Sequence, residues 1–143
     1  GGSMFFDSTS GGNARAGQIW ELNLAENTLR LVFESPSKQV LNMPDNLAVS
    51  ARGGIIICED CGITTVQTPK GLKRYFPRLH ALSPEGEIHL FAENNAVIEK
   101  MGDFRGSEWT GANFSPDGKW LFANIQTPGF TVAITGPWKK GCL

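Results

Sequence analysis

The chain has 143 residues, enough for one compact domain with its own hydrophobic core, and its formal net charge is −1. This charge, with no basic run longer than Lys139-Lys140 and no apolar run near the ~18 residues of a membrane span, argues against nucleic acid and membranes as partners. Hydrophobic residues make up 41% and charged residues 19%, and 17 glycines with 8 prolines supply turn positions, which favours an all-β fold of short strands.

The first half of the chain predicts one strand and two hairpins. The strand covers residues 4–7, and the first hairpin covers residues 17–33 with its turn around 25–27. Apolar and polar residues alternate along residues 18–22, as in a half-exposed strand. The second hairpin covers residues 46–59, and its run from Gly54 to Cys58 is continuously apolar, which indicates a strand covered on both faces.

The second half repeats the pattern after a polar connection over residues 62–78. Hairpins are predicted over 79–91 and 112–124, and a last strand over 130–134. Three of the hairpins turn through a Ser-x-x-Gly sequence, in which the final glycine adopts a left-handed conformation. The turns are residues 50–53, 83–86 and 115–118.

Buried inner hairpins followed by half-exposed outer hairpins are typical of successive β-propeller blades. We therefore expect one domain, residues 1–143, forming a partial propeller of roughly two to three four-stranded antiparallel blades, with 62–78 as a rim insertion. A closed propeller needs typically four to eight blades. The expectation is a fragment of a larger propeller, or a chain whose copies associate to cover open strand edges.

Strand direction places polar side chains together at one end of these blades. Residues just before the first strand of an inner hairpin and just after its second strand emerge on the same rim. They are Asp45, Asn46, Glu59, Asp60, Arg105, Glu108 and Asn124. Carboxylate and amide oxygens are the ligands of Ca²⁺, which takes six to eight of them, and a neighbouring Arg105 can hold a phosphate through two parallel hydrogen bonds.

The same residues also have an ordinary structural interpretation. Asp and Asn before a strand commonly cap turns, and a Glu at a strand end is often only solvated. Glu59 is the most suggestive, because it ends an apolar strand and must lie either at a channel mouth or beside a partner.

The cysteines point to no closed disulfide or zinc framework. Cys58 and Cys61 have Cys-x-x-Cys spacing, but no second pair completes a tetrahedral site, and Cys142 lies near the end of the chain. We expect Cys58 to be a buried strand residue and Cys61 a loop residue.

Several motifs taken together resemble a known family. They occur in order along the chain and are Thr9-Ser-Gly-Gly-Asn13, Gly17-Gln-Ile-Trp20, Pro44-Asp-Asn-Leu-Ala-Val-Ser50, Cys58-Glu-Asp60, Phe114-Ser-Pro-Asp-Gly118 and Asn124-Ile-Gln-Thr-Pro-Gly129. This series is similar to the C-terminal part of PhoX-type alkaline phosphatases.

The resemblance implies a six-bladed propeller that hydrolyses phosphomonoesters at a calcium and iron cluster and is exported to the periplasm or beyond the cell. It implies that Asp45 and Glu59 are calcium ligands or near neighbours, with Glu108 as a third acidic contributor and Asn46 and Asp60 beside them. The iron ligands would lie mostly outside this chain, which would then be inactive alone. Arg105 as a phosphate-binding residue is our own inference, and the implied partners are a phosphomonoester and the remaining blades or another copy.

Two other functions stay open from the sequence. One is a non-catalytic propeller-type binding or scaffold module with a structural acidic rim. The other is a calcium-dependent hydrolase resembling the lactonase group, which also uses Glu, Asn and Asp at a channel mouth.

Overall fold

A computed structural model describes residues 2–143, which are folded almost entirely into short β-strands. The strands are β1 (Ser3–Ser8), β2 (Gln18–Asn23), β3 (Thr28–Glu34), β4 (Pro44–Val49), β5 (Ile55–Glu59), β6 (Thr64–Thr68), β7 (Gly71–Tyr75), β8 (Arg78–Leu82), β9 (Ile88–Glu93), β10 (Val97–Ile98), β11 (Gly102–Asp103), β12 (Trp109–Phe114), β13 (Trp120–Ile125) and β14 (Phe130–Thr135). A single 3₁₀ turn covers Trp138–Lys140. The prediction of an all-β fold is confirmed.

Three antiparallel sheets follow one another along the chain. The first has the order β1-β2-β3, the second β4-β5-β8-β9 and the third β12-β13-β14. Strands β6 and β7, and strands β10 and β11, form two further pairs of their own. Within residues 2–143 none of these sheets closes on itself, and the three main sheets lie side by side because β1 and β12 both pack against β4.

The predicted Ser-x-x-Gly turns are present. In each, the backbone N–H of the glycine donates to the carbonyl oxygen of the serine, at 2.8 to 3.0 Å. The glycines have positive φ angles, as expected for the closing position of such turns. They are Gly53, Gly86 and Gly118.

The two central strands of the second sheet, β5 and β8, are buried on both faces, and β5 alternates its side chains between two hydrophobic clusters. Ile55 and Ile57 face the first sheet and pack near Ile19 and Leu41. The other face of β5 packs against the third sheet. That second cluster contains Ile56, Cys58, Leu79, Ala81, Trp109, Leu121, Ala123, Ile125 and Leu143. The continuously apolar sequence of β5 is therefore explained by its central position.

The last residues of the chain fold back over the junction between the second and third sheets. The ring of Trp138 stacks on Phe91 with a centroid separation of 6.2 Å, and Leu143 is buried. Gly54 lies so close to this segment that an added Cβ atom would overlap the carbonyl oxygen of Cys142. The return of the chain is thus part of the core.

The outer face of the first sheet is apolar and open. Met4, Phe6, Leu29 and Leu31 lie on this face and are all exposed, next to the half-buried Trp20. On the far side of the third sheet, Trp120 and Phe122 are exposed in the same way. Strand alternation requires this result, because the opposite face of each sheet fills a core.

Residues 62–78 form more structure than the sequence indicates. The hairpin of β6 and β7 stands between β5 and β8, while those two strands pair directly with each other. The β10–β11 pair was also not predicted from the sequence. Among the described residues, no helix is long and apolar enough to cross a membrane.

Candidate functional site

Glu59 is the last residue of β5, and its side chain is fully buried, with 0% exposure. Its Oε1 atom accepts hydrogen bonds from the backbone N–H of Asn42 at 2.7 Å and from Arg78 Nη2 at 2.6 Å. Its Oε2 atom accepts from the backbone N–H and the Nε of Arg78, both at 2.9 Å. His80 Nε2 lies 3.2 Å from Oε1. Of the two alternatives for Glu59, the structure gives a paired carboxylate inside the protein.

Arg78 holds Glu59 through a two-pronged ion pair and also binds the loop that precedes β4. Its Nη1 donates to the carbonyl oxygen of Gln39 at 2.6 Å, and its Nη2 donates to that of Lys38 at 3.0 Å. The guanidinium carbon lies 5.1 Å from the centre of the Tyr75 ring. One buried side chain thus joins β8, β5 and the 38–42 segment.

The electrostatics agree with this pairing. Burial by itself would raise the pKa of Glu59, but hydrogen bonds from His80 and Arg78, together with their charges, lower it. The pKa values of the neighbouring thiols shift in the opposite direction. Burial raises the pKa of Cys58 and of Cys61 to about 11, with the charge of Glu59 adding to the effect at Cys61, so both remain protonated at neutral pH.

Asp45 lies at the start of β4, where the register with β5 is shifted between Pro44 and Asn46. It is exposed, and its Oδ2 accepts a hydrogen bond from Asn46 Nδ2 at 2.6 Å. Asp7, at the end of β1, lies close by. Burial, followed by the charge of Asp45, raises the pKa of Asp7. The two carboxylates therefore repel each other.

Asn46 ties the second sheet to the third. Its Oδ1 accepts from the backbone N–H of Gly111 at 3.0 Å and from Thr110 Oγ1 at 3.3 Å. Strand β12 has its own register shift between Thr110 and Asn113, and Gly111 takes a left-handed φ of 58° there. Asn124, which pairs with Thr110 as Glu59 pairs with Pro44, donates from Nδ2 to the Thr110 carbonyl oxygen.

Asp60 and Glu108 line one open cleft of about 420 Å³. Its walls come from three loops, which follow β5, precede β12 and follow β13. Besides these two carboxylates, the lining includes Asp103, Ser107 and Gln126. The cleft is thus an acidic, hydrogen-bonding space at the ends of β5 and β13 and the start of β12.

Arg105 lies at the edge of this region, bound to an acidic neighbour. Its Nε and Nη2 atoms donate to Asp103 Oδ1 and Oδ2 at 2.9 and 2.7 Å, which lowers the pKa of Asp103 to about 2. Its guanidinium also lies 4.9 Å from the centre of the Phe76 ring, and Arg74 lies 5.8 Å from the same ring.

The predicted residues thus fall into three neighbouring groups. Asp45 and Asn46 lie with Asp7, Asp60 and Glu108 share the cleft, and Glu59 is enclosed with Arg78. Among residues 2–143, no three His, Cys, Asp or Glu side chains come close enough together to hold a metal ion. The metal and phosphate roles of the predicted residues stay predictions.

Sequence reasoning did not single out Arg78 or Asn42 as part of the site. Arg78 begins β8, whose five residues are all buried. The signal that could have identified it is a charged residue in such a strand, followed two positions later by His80. Asn42 offers no pattern, yet its Oδ1 is buried without a hydrogen-bond partner in the described structure.

The comparison with family models decides the family. The model described as alkaline phosphatase PhoX matches residues 2–129. The chain belongs to the PhoX alkaline phosphatase family. The matched range contains all three acidic groups and every strand except β14. No curated protein matches the chain.

The PhoX family is metal-dependent, and two features of this chain favour a hard cation, although residues 2–143 form no complete metal-binding group. Asp7 and Asp45 carry charges that repel each other and would be relieved by a cation, and the buried Asn42 Oδ1 is an acceptor without a donor.

Proposed function

We propose that this chain is part of a metal-dependent phosphomonoesterase and contributes acidic calcium ligands at one end of a β-propeller. The observation that carries the proposal is the PhoX family match over residues 2–129. It is supported by the position of Asp45, Asp60 and Glu108, each of which lies where a strand of an inner hairpin begins or ends.

The propeller architecture is proposed from the order of the sheets. The second sheet is a four-stranded antiparallel meander, and β12 of the third sheet packs against its first two strands, β4 and β5. Successive blades of a propeller contact in this manner around a central axis. The open apolar faces of the first and third sheets fit further blades, supplied by the same protein or by another copy.

The proposed cation ligands are Asp45 with Asn46, and Asp60 with Glu108, while Glu59 is a near neighbour of both groups. When bound, Ca²⁺ neutralises the charge of a phosphate group. The chain's own residues would set the position of that cation. Iron, which the family resemblance implies, would be held mostly by residues outside this chain, so the chain alone is proposed to be inactive.

Arg105 is the proposed phosphate-binding residue. It lies beside the cleft of Asp60 and Glu108, and its Nη1 makes no hydrogen bond within the described part of the chain. The two N–H groups of Nη1 are therefore available to bind an anion. A periplasmic or extracellular location is proposed on the basis of the family alone.

The test measures hydrolysis of p-nitrophenyl phosphate by a protein that contains this chain and completes its blades, with Ca²⁺ and then with a chelator. We expect turnover that depends on calcium, and none from the isolated chain. For the isolated chain, calorimetric titration should show that Asp45→Asn and Glu108→Gln weaken Ca²⁺ binding, whereas Glu26→Gln, an exposed turn residue, leaves it unchanged. Turnover that is unchanged by the chelator would refute the proposal that hydrolysis depends on a metal.

A non-catalytic scaffold module is the second candidate, and one observation favours it. Glu59 is already neutralised by Arg78, so part of the acidic rim is structural. This candidate predicts that the completed protein hydrolyses no phosphomonoester, even though the fold is intact.

A further inference from the structure

Arg78 is a buried, paired residue that no motif or family feature singled out. Two segments carry the proposed ligands nearest to it: residues 38–45, which end at Asp45, and residues 59–60, which end at Asp60. Four short polar contacts join these segments through a buried centre. They are Arg78 to the carbonyl oxygens of Lys38 and Gln39, the Asn42 backbone N–H to Glu59, and the Asp60 backbone N–H to the Met43 carbonyl oxygen at 2.8 Å.

Met43 shows why these contacts are needed. It adopts a left-handed φ of 53°, which an unbranched side chain occupies at a cost of roughly 1–2 kcal/mol. Its N–H donates to the Ala16 carbonyl oxygen, and its own carbonyl oxygen accepts from Asp60. The chain therefore reaches Asp45 through a strained residue that is held from both sides. Without its neighbours, this segment would relax and turn Asp45 elsewhere.

The ion pair between Arg78 and Glu59 is buried, and the acceptor positions of Glu59 are occupied. The side chains of Arg78 and Glu59 are 5% and 0% exposed. A carboxylate that accepts hydrogen bonds from Asn42, Arg78 and His80 has no free direction toward a cation.

We infer that Arg78 is a positioning residue: by neutralising Glu59 and binding the 38–39 carbonyl oxygens, it fixes the two segments that present Asp45 and Asp60. Glu59 acts as the anchor of this unit and is not itself a cation ligand. The effect on calcium rests on the proposed function, whereas the fixing of the two segments does not.

The charge of Arg78 and its positioning role predict opposite changes in Ca²⁺ affinity when the side chain is replaced. A cation near a Ca²⁺ site opposes binding, so Arg78→Met would tighten binding if Arg78 acted through its charge alone. It would also tighten binding if it freed Glu59 to become a ligand. A positioning role predicts weaker binding, by roughly tenfold to a hundredfold, the range typical of residues that orient metal ligands.

The experiment uses the full chain and four variants: Arg78→Met, Arg78→Lys, Glu59→Gln and the double variant Glu59→Gln/Arg78→Met. We expect all four to bind Ca²⁺ more weakly in calorimetric titrations, and the double variant to be no weaker than the weaker single one, because the two residues act as one unit. Arg78→Lys keeps the charge but loses the planar fork, so it should not restore affinity. Arg30→Met, which breaks the surface pair with Glu21, is the matched control and should bind normally.

A second measurement separates this inference from the proposed function. Amide hydrogen exchange at Asn42 and Asp60 should be faster by about tenfold or more in Arg78→Lys and in the double variant, with no cation present. Unchanged exchange at both amides would overturn the inference. If the wild-type chain binds Ca²⁺, unchanged or tighter Ca²⁺ binding by Arg78→Met or Arg78→Lys would also overturn the inference. If the wild-type chain binds no Ca²⁺, the proposed metal function fails and hydrogen exchange alone decides the positioning role.

Discussion

Replacing Arg78 with Met should produce a loss of stability that depends strongly on pH. The substitution keeps an unbranched apolar side chain but removes the only guanidinium that contacts Glu59 in the described structure. Breaking a buried pair by removing one partner costs about 3–5 kcal/mol, because the remaining charge is left without compensation. Against a total stability of about 5–15 kcal/mol, this is a severe loss.

The direction of the pH effect follows from the state of Glu59. In the wild type its folded pKa lies below the ordinary value of 4.5, so its contribution is present above that value and is lost as pH falls through the lower folded pKa. In Arg78→Met, the hydrogen bonds and charge of Arg78 no longer oppose burial, while those from His80 and Asn42 remain, so the pKa of Glu59 is higher than in the wild type. The penalty therefore exists at neutral pH and diminishes as the carboxyl is protonated.

The assay is urea unfolding followed by tryptophan fluorescence, at neutral pH and at about pH 4.5. The difference in unfolding free energy between wild type and variant should shrink by at least about half in acid. The exposed pair Glu21–Arg30 supplies the control, since Arg30→Met should cost no more than about 1 kcal/mol. A difference that stays constant with pH would show that Arg78 contributes packing only and would refute the reasoning.

Three further predictions concern other parts of the molecule. Asp7→Asn should raise the melting temperature of the cation-free protein at neutral pH, because it removes a partly buried charge that its neighbour on β4 repels; a lower melting temperature would contradict this. Gly54→Ala should destabilise by about 1–3 kcal/mol in urea unfolding by displacing the C-terminal return, whereas Gly62→Ala, which meets no atom, should be neutral; equal effects would contradict the close approach. Leu121→Ala, at a fully buried core position, should cost about 2–5 kcal/mol in the same measurement, and a cost under about 1 kcal/mol would place that side chain outside the core.

The main sheets could be predicted because their signals are local. The Ser-x-x-Gly turns and the alternation of apolar residues fixed the hairpins of β4 with β5, β8 with β9, and β12 with β13. Continuous apolarity in β5 also predicted its burial on both faces. The β6–β7 hairpin was missed because its polar strands pair only with each other and bury too little to leave a hydrophobic pattern.

The site was less predictable because its key contact is not local. The sequence required Glu59 to be at a mouth or paired, but its partner Arg78 lies beyond an inserted hairpin, and no spacing rule joins the two. The same holds for Asp7 and Asp45, which come together only when the first sheet packs beside the second. Strand direction predicted that these side chains lie near strand ends but not which carboxylates share a space.

The insertion of β6 and β7 between two strands that pair directly has a consequence for how this protein can diversify. Because β5 and β8 are held by their own ladder, the excursion over residues 60–77 closes a loop, and doubling the length of such a loop costs only about 0.6 kcal/mol of closure entropy. Lengthening, shortening or exchanging the tip of this hairpin would leave the sheet intact as long as its roots at Glu59 and Arg78 are kept. Relatives can therefore acquire new surface residues at this tip while the pairing of β5 with β8 is kept.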